Sequence, residues 1–144
     1  MDIHEAHRDV ETIRAVTAGL SRKRDAVYVA LALIYRTGHK WLKGGQAKEL
    51  RDAIIILEEV KVDPRVKQKL FRFLIEVGWP ALETKLRSRY ANALRYAWAH
   101  HCPIAGLATF IKNKGGIEKC ANRYVAQRKS IYSKRTVGDQ PTRE

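Results

Sequence analysis

In Ala47-Lys48-Glu49-Leu50-Arg51-Asp52-Ala53-Ile54-Ile55-Ile56-Leu57-Glu58-Glu59, four consecutive aliphatic residues, Ile54 to Leu57, have the composition of a strand. The residues on both sides favour helix. Leu50, Ala53, Ile54 and Leu57 recur at intervals of three and four, so they form one inward stripe of a helix from Gln46 to about Val60. Apolar residues elsewhere in the chain recur at the same intervals rather than at two, and the expected fold class is all-α.

Upstream, Ile3, Ala6, Val10, Ile13, Thr17 and Leu20 make a narrow stripe on a first helix that ends near Gly19. Ser21 is placed to cap a second helix whose centre, Val27 to Tyr35, is apolar nearly all round, with Gly38 expected to stop it. Downstream, Asp63-Pro64 is a start signal for a fourth helix with Val66, Leu70, Phe73, Leu74 and Val77 on one face and its end at Gly78. Trp79-Pro80 restarts the chain into a fifth helix reaching about His100. Pro103 opens a sixth, ended by Gly115 and Gly116, and a seventh begins near Ile117. These elements fit a single compact domain of about seven helices in a chain of 144 residues, 45% of them hydrophobic. Residues 1–78 read as a helical bundle, 80–135 as a basic part and 136–144 as a flexible tail.

Charge is the strongest compositional signal. Twenty-eight Lys and Arg against fifteen Asp and Glu give +13, which draws a chain toward phosphate-rich polymers or acidic protein surfaces. From Thr84 to Gly138 there are twelve basic residues and one acid, Glu118, whereas the first twenty residues carry Asp2, Glu5, Asp9 and Glu11 against Arg8 and Arg14. Such asymmetry marks a binding face. The longest apolar run, Ala26 to Tyr35, is about half of a membrane span, and the start of the chain lacks the pattern of a secretory signal, so a cytosolic, nucleoid-associated protein is expected. Cys102 and Cys120 are expected to be small buried hydrophobes.

On the fifth helix, steps of about 100° per residue put Leu86, Tyr90, Ala93, Leu94, Ala97 and Trp98 in one arc. The complementary arc holds Lys85, Ser88, Arg89, Asn92, Arg95 and Tyr96 with no acid, although mixed signs at i and i+4 would have supported the helix. These are side chains that hydrogen-bond phosphates and base edges. Lys112, Lys114, Lys119, Arg123, Arg128, Lys129, Lys134 and Arg135 extend the basic character through the last third of the chain. Gly115-Gly116 reads either as a simple helix stop or as a place where backbone N–H groups meet a phosphate.

The segment Ile117-Glu118-Lys119-Cys120-Ala121-Asn122-Arg123-Tyr124-Val125-Ala126-Gln127-Arg128-Lys129-Ser130-Ile131 resembles the helix-turn-helix of phage and bacterial repressors. It has a small residue, Ala121, in mid-helix, and apolar Cys120, Tyr124, Ala126 and Ile131 to bury a turn. The resemblance implies DNA binding, with Gln127 at the start of a recognition helix and Arg128, Lys129, Ser130 and Tyr132 facing the major groove. Val125 stands where that family usually has Gly, and Lys134 where it usually has an apolar residue. The alternative is one continuous basic helix from Ile117 to about Lys134.

Catalytic and metal patterns point the other way. His100, His101, Cys102 and Cys120 lack the spacing of a zinc set, and His4 with His7 is not a metalloprotease motif. Glu58 and Glu59 diverge on a helix, and there is no phosphate-cradling glycine loop or nucleophile elbow. No enzyme activity, cofactor or metal is expected. The expected function is a small DNA-binding regulator acting on duplex DNA, with RNA as a further polymer partner and a homodimer formed through the acidic first helix. The rival is a helical adaptor or inhibitor docking on an acidic protein surface.

Overall fold

Asp2 accepts a hydrogen bond from the Glu5 amide at 2.9 Å, and this cap starts the first helix. A computed structural model describes residues 2–20, 23–63 and 69–138, with side chains as far as residue 129. The helices are α1 (Ile3–Thr17), α2 (Arg24–Lys43), α3 (Ala47–Glu58), α4 (Leu70–Gly78), α5 (Thr84–Ala99), α6 (Leu107–Asn113) and α7 (Ile117–Gly138), with a 3₁₀ turn at Ile104–Gly106 before α6. The described residues thus form an all-α compact domain of seven helices without strands, and Ile54 to Leu57 are helical. None of these helices is long and apolar enough to cross a membrane.

One core runs from α1 to the first half of α7. Each large aliphatic or aromatic side chain buried in it contributes about 1.5–3 kcal/mol. The stripe Ala6, Val10, Ile13 and Thr17 is buried as its spacing requires. It is therefore spent inside the chain. α4 is buried nearly all round, since Phe71, Phe73, Leu74, Ile75 and Val77 all join the core. Its short span is surrounded by α1, α2, α3 and α5. The single face read from its sequence is too narrow for that central position. On α3, Leu50 and Ile54 are buried, but Leu57, in the last turn, is exposed.

Gly38 does not stop α2, which continues for another turn and a half to Lys43. The glycine answers a packing demand: a Cβ at this position would lie 2.4 Å from the Phe71 ring. The real stop is at Gly44-Gly45, where Gly45 takes a positive φ of 72°. α5 likewise starts at Thr84, four residues after Pro80, because residues 80–82 form a turn first. Ser21 and residues 64–68, with the expected contributions of Pro64 and Val66, lie outside the described residues, as do residues 139–144 of the expected tail. The backbone at 136–138 is helical.

Side chains of α1 close the C-terminal end of α4, whose last carbonyls lack partners within their own helix. Thr17 Oγ1 donates to Gly78 O at 2.6 Å, and Arg14 Nε donates to Val77 O at 2.8 Å. Arg14 also pairs with Glu58 of α3 and Glu11 of its own helix. Asp9 accepts from Trp41 Nε1 at 3.0 Å and pairs with Lys40, which also meets Glu5. Tyr35 Oη, buried, donates to Cys102 O at 2.8 Å, and burial pushes its ionisation well above the ordinary tyrosine range.

His39 lies edge-on between Tyr35 and Trp98, each ring centroid 4.5 Å away, with its Nε2 buried and lacking a hydrogen-bond partner. Burial lowers its pKa, because the charged ring would lose hydration that the aromatic walls do not replace. The unfolded chain therefore takes up this proton at a higher pH than the folded one. His39 contributes full stability above about pH 6.5, and that contribution falls as pH drops toward its lower folded value. Denaturation curves between neutral and mildly acid pH should show a shallower acid-side loss in His39→Gln than in the parent. A second expectation concerns Gly38→Ala. In an open helix this change stabilises by up to about 1 kcal/mol, but the contact with Phe71 should make it destabilise by about 1–3 kcal/mol in chemical unfolding.

Candidate nucleic-acid interface

α7 lies along α5, and on α7 the small residues Cys120 and Ala121 are buried. Arg89 pairs with Glu118 at 3.6 Å, and Arg95 lies over the Tyr124 ring at 4.7 Å. Both contacts step six residues in the same direction, so the helices run parallel, with residue 99 beside about residue 128.

This packing corrects the expected basic face of α5. Tyr96 is buried, while Arg89, Asn92 and Arg95 are half-buried. Lys85 and Ser88 stay exposed, with Ser88 accepting from Arg72. A single apolar arc assumes a helix covered on one side, and α5 is covered on two. Burial lowers the Arg95 pKa, and the nearby Arg128 charge acts the same way while Tyr124 opposes it. A guanidinium keeps its charge through such a shift, and the Tyr124 face is what receives it. Trp98, expected in the core, is 38% exposed.

Apart from Lys85, the cations of residues 84–129 that are exposed come from α6 and α7. Gly115 and Gly116 have φ of 102° and 108°, a pair of backbone states that side chains resist, and they turn α6 directly into α7. Lys112 and Lys114 flank that turn, exposed, with their ammonium groups 5.0 Å from the Tyr28 ring and 5.7 Å from the Phe110 ring. Along α7, Lys119, Asn122, Arg123 and Lys129 fall on the side away from α5 and are exposed. Arg123 also donates from Nη1 to Lys114 O at 2.6 Å, which holds its guanidinium beside the turn. Gln127 and Arg128 are exposed on the inward stripe just where α5 ends, Arg128 lying 5.9 Å from the Tyr124 ring.

The turn of the repressor pattern is absent. Ile117–Gly138 is one continuous helix, and Val125 is helical without positive φ. A β-branched residue has no access to the left-handed state that the glycine of that motif supplies. Arg128 consequently shares a stripe with Tyr124 instead of facing outward with Lys129. The side chains of Ser130, Tyr132, Lys134 and Arg135 lie outside the described residues. No family model matches the chain, and no curated protein or solved structure is similar to it.

Two clusters escaped the sequence reading. His7 Nδ1, Glu11 and Glu58 bring ligand-type atoms within 4.8 Å of one another, His7 to Glu58 at 2.8 Å. Arg14 already pairs with both carboxylates there, so the cluster reads as an ion-pair network. His7 and Glu11 lie one turn apart on α1, but Glu58 comes from α3, about fifty residues away in sequence, and no spacing rule links it to them. Arg24 joins Arg89 and Lys112 around a cavity at the start of α7. Cys102 and Cys120 are buried free thiols, and burial pushes both upward in pKa.

Val125→Gly separates the two readings of this segment. A turn requiring positive φ would be strengthened by the glycine, whereas a continuous helix should lose up to about 1 kcal/mol. A fall in thermal stability with reduced helical circular dichroism is the expected outcome.

Proposed function

We propose that this chain is a small, non-enzymatic nucleic-acid-binding protein that engages duplex DNA through α7 and the end of α6, in the manner of a transcriptional or related regulator. The observation that carries this reading is the exposed set Lys112, Lys114, Lys119, Arg123, Arg128 and Lys129 with Glu118 as the one carboxylate between them in sequence. A surface free of opposing charge gains most from phosphates, because each contact releases condensed counterions. Beyond residue 128 α7 has passed the end of α5, and residues 125–129 are all exposed. An unaccompanied helix is the element that the major groove, about 12 Å wide, admits.

Charge of this kind also suits an acidic protein surface. A docking face would carry an apolar centre inside the basic rim, and on the described part of α7 the exposed large apolar residue is Val125, at 36%. That favours nucleic acid. Phosphate contacts fall to Lys119, Arg123 and Lys129.

Binding of random duplex DNA across a salt series provides the test. Changing Lys119, Arg123 and Lys129 together to Ala should lower the slope of log affinity against log salt by about 2–3. Arg95→Lys, altering a cation held on Tyr124, should leave the slope unchanged. Absence of duplex binding at low salt would overturn the proposal and turn attention to an acidic protein partner.

A further inference from the structure

A cavity of about 480 Å³ opens between α2, α5 and the turn into α7. Its size falls within the range of small-ligand sites. Its charged lining consists of Arg24 from α2, Arg89 from α5, Lys112 from α6 and Glu118 from α7, with Tyr28 and Tyr90 forming aromatic walls. The basic groups come from three helices far apart in sequence, so this is not the by-product of one charged run. Glu118 pairs with Arg89 at 3.6 Å, and Lys112 lies over the Tyr28 ring. Three cations against one carboxylate leave two positive charges in excess among the described residues that line the recess.

We propose that this cavity is a binding site for a phosphomonoester. Such a group carries nearly two negative charges at neutral pH, which matches the lining. A phosphodiester inside a duplex carries one and is held at the helix surface, out of reach of a recess. The tyrosine walls suit a ring or sugar attached to the phosphate. The same chemistry is presented by a free nucleotide and by the phosphorylated end of a nucleic-acid strand. The site shares Lys112 with the duplex-binding face, but it opens at the start of α7 and not on its projecting half.

Calorimetric titration of the full chain with inorganic phosphate, adenosine 5′-monophosphate and adenosine tests the first source. Oligonucleotides identical except for a 5′-phosphate or a 5′-hydroxyl test the second. The phosphate-bearing member of at least one pair should bind about ten-fold tighter, and Arg24→Ala should remove that advantage. Arg24 is exposed in the first turn of α2, where a cation opposes the helix dipole, so its loss leaves folding intact. Lys43→Ala, an exposed charge at the other end of α2, should change nothing. A preference confined to the nucleotide identifies the free ligand, and one confined to the oligonucleotide identifies the strand end. Equal binding within both pairs, or an equal cost from Lys43→Ala, would overturn the proposal. Binding of covalently closed duplex DNA, which has no ends, reports on α7 separately, so the two readings fail independently.

Discussion

Two basic helices packed in parallel are an unfavourable pair, since their charges repel and their dipoles place like ends together. The chain resolves this at the seam between α5 and α7 with aromatic faces instead of carboxylates. Tyr124 receives both Arg95 and Arg128, and one acid, Glu118, meets Arg89 near the start of α7. The same device recurs at Lys112 on Tyr28 and Lys114 on Phe110. A quadrupole attracts a cation without cancelling its charge. The seam therefore closes while the outer surface keeps its positive field, a combination that salt bridges would not have permitted.

The acids are gathered elsewhere. Glu5 and Asp9 hold Lys40, Glu11 and Glu58 hold Arg14, and Glu76 holds Arg72 and Arg87. Most of these pairs join different helices, tying α1 to α2 and α3, and α4 to α5. Segregation of charge along the sequence thus becomes segregation between a scaffold and a face.

Helix type and order were legible because spacing of three and four survives any arrangement of neighbours. Ile54 to Leu57 illustrate this, since the flanking periodicity outweighed a strand-like composition. Gly38 was misread for the complementary reason: the cause of a mid-helix glycine is the Phe71 ring, thirty-three residues away, and a close approach leaves no local pattern. The face of α5 failed in the same way, because coverage by α7 is a tertiary fact. Within α7 the residue most resistant to a turn, Val125, was visible in the sequence, and the structure follows it. The cavity at the start of α7 draws on Arg24, Arg89 and Lys112, and only folding brings these together.

α7 outlasts its support. The last residue it contributes to the buried core is Ala121, while its backbone runs on to Gly138. At 1.5 Å per residue, the part beyond the end of α5 reaches about 15 Å from the body. Its length is decoupled from the stability of the domain. Insertion or loss of seven residues there would change the reach by about 10 Å and rotate the tip by only about 20°. The span of this helix can change by whole turns while the packed seam beneath it stays in register.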